Sequence, residues 1–184
     1  MGLLRRWQAE RDLRRRATAC ARALAREPAE EDVHWLAAHG TAGDLDHARW
    51  ELRYARRALG LIAAQRDALD DRTASAVAHA LAAELARDPR VDAAKRDVAE
   101  RQFNARLRAF AEALASRDER GVREMLGSTL LAFAGAPPRS ADDAAHAGEL
   151  VMRYLAEGNA RLREAFGAAE LPEHVAPSAA RGAP

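Results

Sequence analysis

The apolar residues between Leu45 and Leu69 form the clearest pattern in the chain. They recur alternately three and four residues apart, interrupted only at Arg66, and this spacing places an apolar stripe along one face of an α-helix. The stripe consists of Leu45, Ala48, Leu52, Ala55, Leu59, Ile62 and Leu69. A second stripe on roughly the opposite side consists of Trp50, Tyr54 and Leu61. Because a helix with two apolar faces is typical of one packed between neighbours, the sequence predicts a central helix over about 44–68.

Six further amphipathic segments, separated by Pro, Gly or capping residues, complete the pattern. About a quarter of the 184 residues are alanine, arginine is also abundant, and β-branched residues are scarce. This composition favours helix over strand, so we predict an all-α fold of about seven helices. Besides the central helix these cover 3–26, 29–39, a segment opening at Asp70, about 90–115, a segment opening at Ser116, and about 141–166.

Several helix starts carry recognisable capping signals. Thr41 with Asp44, Ser116 with Glu119 and Ser140 with Asp143 resemble capping boxes, and Asp88-Pro89 is typical of a cap followed by a first-turn proline. The connections are short, which favours antiparallel neighbours. We therefore expect an up-and-down bundle or an irregular array of α-hairpins around the central helix.

The organisation along the chain divides into three parts. Residues 1–28 are expected to form a basic amphipathic helix, partly detached, because Glu10 and Arg14 interrupt the apolar face of its first half. Residues 29–167 are expected to form a single helical domain. Residues 168–184 contain Ala, Pro and Ser with no apolar stripe, which predicts a mobile tail.

Charge and cysteine content exclude several functional classes. The formal net charge is +1, so net charge favours neither nucleic acid nor a membrane as a partner. Cys20 is the only cysteine, which excludes an internal disulfide and a cysteine-based zinc site and fits a cytoplasmic location. No apolar run has the length of a bilayer span, and the N-terminus lacks the apolar core of a secretory signal.

Catalytic constellations are missing from the sequence. No serine lies in a nucleophile elbow, no glycine-rich loop is placed to hold phosphate, and Cys20 lies among small residues typical of a core. Three acid-x-x-His pairs resemble the motifs of di-iron bundles, but each acid lies in a predicted first turn, where helix capping favours it. These pairs are Glu31/His34, Asp44/His47 and Asp143/His146. We predict no catalytic residues, no metal site and no cofactor.

Two groups of residues are candidates for binding. Aromatic, acidic and basic side chains lie close together in the sequence at His47, Trp50, Glu51 and Tyr54. If the protein binds a small ligand or a metal, these residues are the first candidates. An arginine cluster near the N-terminus is suited to anionic surfaces and consists of Arg5, Arg6, Arg11, Arg14, Arg15 and Arg16. Further arginines beside the central stripes either pair with carboxylates of adjacent helices or line an anion-binding cleft; they are Arg49, Arg53, Arg56 and Arg57.

The favoured interpretation is a non-enzymatic cytoplasmic helical protein that acts through protein–protein contacts, as an adaptor, scaffold or regulatory module. Its expected partner is another protein or a second copy of itself. One alternative is a helical bundle that binds a small ligand or metal near His47, Glu51 and Tyr54. The other is a binder of anionic membrane surfaces or nucleic acid through the N-terminal arginines, with nucleic acid the less expected of the two.

Overall fold

The fold is all-α, as the sequence predicts. The computed structural model describes residues 2–67, 70–116 and 121–167. Within these ranges the chain forms no strand, a 3₁₀ turn at Ala93–Lys95 and seven helices: α1 (Gly2–Leu24), α2 (Glu30–His39), α3 (Leu45–Asp67), α4 (Asp71–Ala86), α5 (Arg96–Ala115), α6 (Gly121–Ala134) and α7 (Ala141–Phe166). Leu69, Glu119 and the expected mobile tail at 168–184 lie outside the described residues.

Helix α3 lies at the centre and contacts all six other helices. One side, which includes Leu52 and Leu59, packs into a core shared with α2, α5, α6 and α7. The other side, which includes Leu61 and Ala64, packs into a second core with α1, α4 and the end of α7. The helix therefore has two buried sides, as predicted. Of the predicted second stripe, however, only Leu61 lies in the second core; Tyr54 is buried but belongs to neither core, and Trp50 is half-buried.

Helix α1 divides into a buried and an exposed half. Ala17, Cys20, Ala21 and Leu24 are buried in the second core, whereas Leu4 and Trp7 are exposed. The sequence predicts this difference, because charged residues interrupt the apolar face of the first half only.

One predicted cap, Ser140, is confirmed, another, Thr41, is reversed, and α4 has a cap at Asp70. Asp70 accepts a hydrogen bond from the backbone N–H of Thr73, and Ser140 accepts one from that of Asp143. At α3 the cap is Asp44, whose carboxylate accepts from the backbone N–H groups of Asp46 and His47. Thr41 is not the cap; its hydroxyl donates to the carbonyl oxygen of Asp44.

The start of α5 differs from the prediction. The helix begins at Arg96 rather than near residue 90, because the backbone N–H of Val91 bonds the carbonyl oxygen of Asp88 and closes a turn there. The carboxylate of Asp88 is bound on one side by Arg57, which draws this residue into the interior. Ser116, which was expected to cap the start of the next helix, directly follows α5. Its predicted capping partner, Glu119, lies outside the described residues.

Candidate interaction surface

The four residues of the predicted ligand site lie together on α3, around a buried ion pair. Arg106 of α5 donates from Nε to Oε2 of Glu51 at 2.9 Å and from Nη2 to Oε1 of the same carboxylate. Both partners are buried. His47 approaches from the exposed side, with its Nε2 3.4 Å from Oε1 of Glu51. Glu51 thus has both oxygens occupied by protein groups.

Aromatic rings enclose this ion pair. The guanidinium carbon of Arg106 lies 5.2 Å from the ring centre of Tyr54 and 4.4 Å from that of Phe133, both within the range of cation–π attraction. Trp50 packs beside Tyr54, with 5.7 Å between ring centres. Burial raises the pKa of the Tyr54 phenol. The group holds α3, α5 and α6 together, and its use as a ligand site stays a prediction.

The sequence analysis missed Arg106 as the partner of Glu51. The sequence did contain a signal for a buried ion pair. Arg106 lies between Phe103 and Phe110 in the inward-facing stripe of α5, and all the other residues of that stripe are apolar. A charged residue inside an apolar stripe indicates a buried partner. Which carboxylate it meets, 55 residues away along the chain, is a matter of tertiary packing.

The histidines of the acid-x-x-His pairs separate in the structure. His47 approaches Glu51, whereas His146 stacks on Trp35 at 4.3 Å between ring centres. Trp35 also stacks with His39, at 4.7 Å between ring centres, a contact that the sequence analysis did not identify. Among the residues that the structure describes, no three His, Cys, Asp or Glu side chains are placed to hold one metal ion.

The arginines beside the central stripes pair with carboxylates, which is the first of their two predicted roles. Each ion pair joins α3 to a different segment. The pairs are Arg49–Glu30 at 2.9 Å, Arg53–Glu27 at 2.6 Å, Arg56–Glu157 at 2.7 Å and Arg57–Asp88 at 3.2 Å.

The N-terminal arginines divide into paired and unpaired groups. Arg14 pairs with Glu10 at 3.1 Å, and Arg15 and Arg16 pair with Asp12, each at 2.8 Å. Glu10 also binds Arg72 of α4 at 2.8 Å, which links α1 to the body of the protein. Hydrogen bonds from Arg72 and Arg14 lower the pKa of the Glu10 carboxyl.

The remaining arginines, Arg5, Arg6 and Arg11, are exposed. Within the described parts of the chain, none of the three has a carboxylate within ion-pair distance. The first half of α1 therefore carries uncompensated positive charge.

Exposed apolar side chains accompany this charge. Leu4 is 71% exposed and Trp7 is 60% exposed, and the guanidinium of Arg11 lies 5.5 Å from the Trp7 ring. Leu4, Trp7, Arg11 and Arg15 follow one another at helical spacing and share one face. We refer to these four residues as the α1 patch. An exposed tryptophan and leucine on a basic helix form a surface suited to binding another molecule.

Comparison with protein-family models, with curated proteins and with solved structures finds no match to this chain. None of the helices in the described ranges combines the length and apolar character needed to cross a bilayer.

Proposed function

We propose that this chain is a non-enzymatic, cytoplasmic helical protein that binds an acidic partner protein through the α1 patch. The observation that supports this proposal is the exposure of Trp7 and Leu4 on a helix whose second half is firmly buried. Tryptophan contributes strongly to binding where a partner buries it, and arginine is enriched beside it in such interfaces. Residues 17–24 hold the helix in place, so the patch is presented without a large ordering cost.

The expected mode of binding is an amphipathic helix in a groove. Leu4 and Trp7 are one turn apart and would enter an apolar groove as adjacent anchors. Arg11 and Arg15 would then lie over the groove's edge, where carboxylates of the partner complement them. Arg5 and Arg6 are exposed elsewhere on the same turn and add to the positive charge of this half of the helix. The expected partner therefore has an apolar groove with acidic residues along its edge.

Charge and apolar area favour an acidic partner protein over a second copy of this chain and over an anionic membrane. A second copy of the chain would place two basic α1 patches against one another, and like charges at an interface oppose association. An anionic membrane would attract the arginines, but Leu4 and Trp7 supply only two described apolar side chains for insertion, and stable surface anchoring needs a larger apolar face or a second anchor.

Site-specific photocrosslinking in the source cells tests this proposal. A photoreactive phenylalanine analogue replaces Trp7 in one variant and Met152, an exposed apolar residue of α7, in a control. We expect one protein adduct from position 7, none from position 152, and loss of the adduct when Arg11 and Arg15 are changed to Glu. The adduct's protein is then identified and purified.

Binding to that purified partner gives the quantitative test. We expect Trp7→Ala to weaken the complex at least about tenfold, as loss of a central aromatic anchor does, and added salt to weaken it further. The proposal fails if the adduct is a second copy of this chain, a lipid or a nucleic acid. It also fails if phosphatidylglycerol vesicles bind the protein as tightly as the partner does.

A further inference from the structure

A cavity of about 240 Å³ lies between α3, α4 and α5, away from the α1 patch. Its walls are mainly apolar and include Leu61 of α3, Leu81 and Leu85 of α4, and Phe103 and Leu107 of α5. Helices α4 and α5 touch each other only slightly, so the space between them is incompletely filled by side chains. Pockets that are mostly apolar with a few placed polar groups are typical small-molecule sites.

Arg57 supplies the buried polar group in this cavity. Its side chain is 4% exposed, and it lies in the cavity wall. Nη2 binds Oδ2 of Asp88 at 3.2 Å. Nε and Nη1 are buried and have no hydrogen-bond partner among the residues that the structure describes. Leaving a buried donor unpaired is costly, most of all on a charged group.

The charges around Asp88 leave Arg57 free to bind a second anion. The other oxygen of Asp88, Oδ1, accepts a hydrogen bond from the backbone N–H of Arg90 at 3.1 Å. The guanidinium of Arg90 lies 3.7 Å from Oδ1 as well. The nearer partner of Arg90 is Glu27, at 2.9 Å, which also pairs with Arg53. Three guanidinium groups therefore share two carboxylates. Arginine has only donors and stays charged, so its complement in the cavity is an acceptor that carries negative charge.

We propose that this cavity binds a small organic monocarboxylate, with the carboxylate on Arg57 and the apolar part against the leucines and Phe103. The volume sets the size of the ligand. A cavity of about 150 Å³ accommodates benzene, with six carbons, so this one holds in proportion roughly ten non-hydrogen atoms. The proposal is independent of the α1 patch.

The open side of the cavity supports this orientation. Glu100 and Asn104 of α5 are exposed and line it. A carboxylate near Glu100 would be repelled, whereas one beside Arg57 gains a charge-assisted hydrogen bond in a buried setting. The ligand is therefore expected to enter with its carboxylate inward and its apolar part nearer the opening.

Calorimetric titration with sodium octanoate, which has ten non-hydrogen atoms, tests the proposal, with 1-octanol as the uncharged comparison. We expect one site with a submillimolar dissociation constant for octanoate and at least tenfold weaker binding of octanol. Absence of octanoate binding at millimolar concentration would overturn the proposal. Equal binding of octanol would overturn the assigned role of Arg57.

Two variants locate the binding. Ala78→Leu adds side-chain volume at the cavity wall and should abolish octanoate binding. Ala80→Leu makes the same change on the same helix but lines the groove toward α1 instead, so binding should persist. The double variant Arg57→Gln/Asp88→Asn removes both charges together, avoids an unpaired buried charge, and should weaken octanoate at least tenfold while leaving octanol unchanged. Binding that is equal in Ala78→Leu and Ala80→Leu would contradict this site.

Discussion

At the scale of single residues, the unusual feature of this protein is arginine inside its packed regions. Arg53, Arg57 and Arg106 are all buried, and each has a carboxylate partner. A buried ion pair contributes little net stability, because desolvation of the two charges offsets their attraction. Removal of one partner is a different matter, since the remaining charge stays in the interior without compensation.

The Glu51–Arg106 pair should therefore be sensitive to loss of one partner. Arg106→Met keeps most of the side-chain volume but leaves the buried Glu51 carboxylate without its guanidinium partner and with only His47 beside it, so we expect a loss of up to about 3–5 kcal/mol in the free energy of unfolding. The matched control is Arg49→Met, which breaks the more exposed pair with Glu30 and should cost at most about 1 kcal/mol. Urea unfolding followed by circular dichroism measures both. Equal losses in the two variants would contradict the assigned burial.

Cys20 makes a second residue-scale prediction, because burial raises the pKa of its thiol to about 11 from 9.0. At pH 8 the folded protein should react with a disulfide reagent at least roughly a hundredfold more slowly than the unfolded chain, because only thiolate reacts and the buried side chain is also shielded from the reagent. Between pH 9 and 11 the folded state keeps a proton that the unfolded state loses, so this thiol's contribution to stability falls as pH rises.

Comparison with Cys20→Ala isolates this effect. Tyr54 and Tyr154 also have pKa values raised by burial, and they contribute the same direction of alkaline destabilisation in both proteins. The difference between the parent and the variant should therefore shrink as pH rises from 9 to 11. A difference that stays constant over that range would show that the thiol titrates normally in the folded protein.

At the scale of helices, α6 and α7 approach each other through glycines. A Cβ added to Gly127 would lie 2.1 Å from the carbonyl oxygen of Ala144 and 2.6 Å from the backbone nitrogen of Gly148. These are backbone atoms that no side-chain rotation can move. The small size of Gly127 thus sets the separation of the two helices, and that separation determines how Leu126 and Val151 fill the first core.

Gly127→Ala should therefore destabilise the protein although alanine favours helix. The gain in helix propensity is about 1 kcal/mol, but the helices must separate, and overpacking of this kind costs roughly 1–3 kcal/mol or more. We expect a net loss in the free energy of unfolding. Ser128→Ala, the neighbouring partly exposed position, is the control and should change stability by less than about 0.5 kcal/mol. A Gly127→Ala protein as stable as its parent would mean that α6 and α7 lie farther apart.

At the scale of the whole molecule, the sequence predicts elements better than contacts. Helices α1, α3 and α7 were predicted from local features of the sequence, namely the spacing of apolar residues and the capping signals. The predicted start of α5 was wrong because Asp88, which resembles a helix cap in the sequence, is instead drawn into the interior by Arg57, 31 residues away along the chain. The partner of Glu51 could not be assigned for the same reason. Local spacing identifies which residues are buried, whereas the pairing of buried charges depends on how helices are arranged in space.

The two halves of α1 separate folding from binding, and this gives the last prediction. Leu4 and Trp7 add nothing to either core, so deletion of residues 2–8 should change the free energy of unfolding by less than about 0.5 kcal/mol. Glu10 remains to bind Arg72. Deletion of residues 2–21 also removes Ala17, Cys20 and Ala21 from the second core, and should lower stability by several kcal/mol through the cavity that it opens.

Urea unfolding of both deletions, with partner binding measured on the shorter one, distinguishes the two roles. The 2–8 deletion should fold normally and lose the complex, because the anchors of the α1 patch are gone while the body that presents them is intact. If that deletion instead unfolds at much lower urea than the parent, Leu4 and Trp7 contribute to folding. Their exposure would then no longer indicate an interaction surface, and the proposed function would lose its main support.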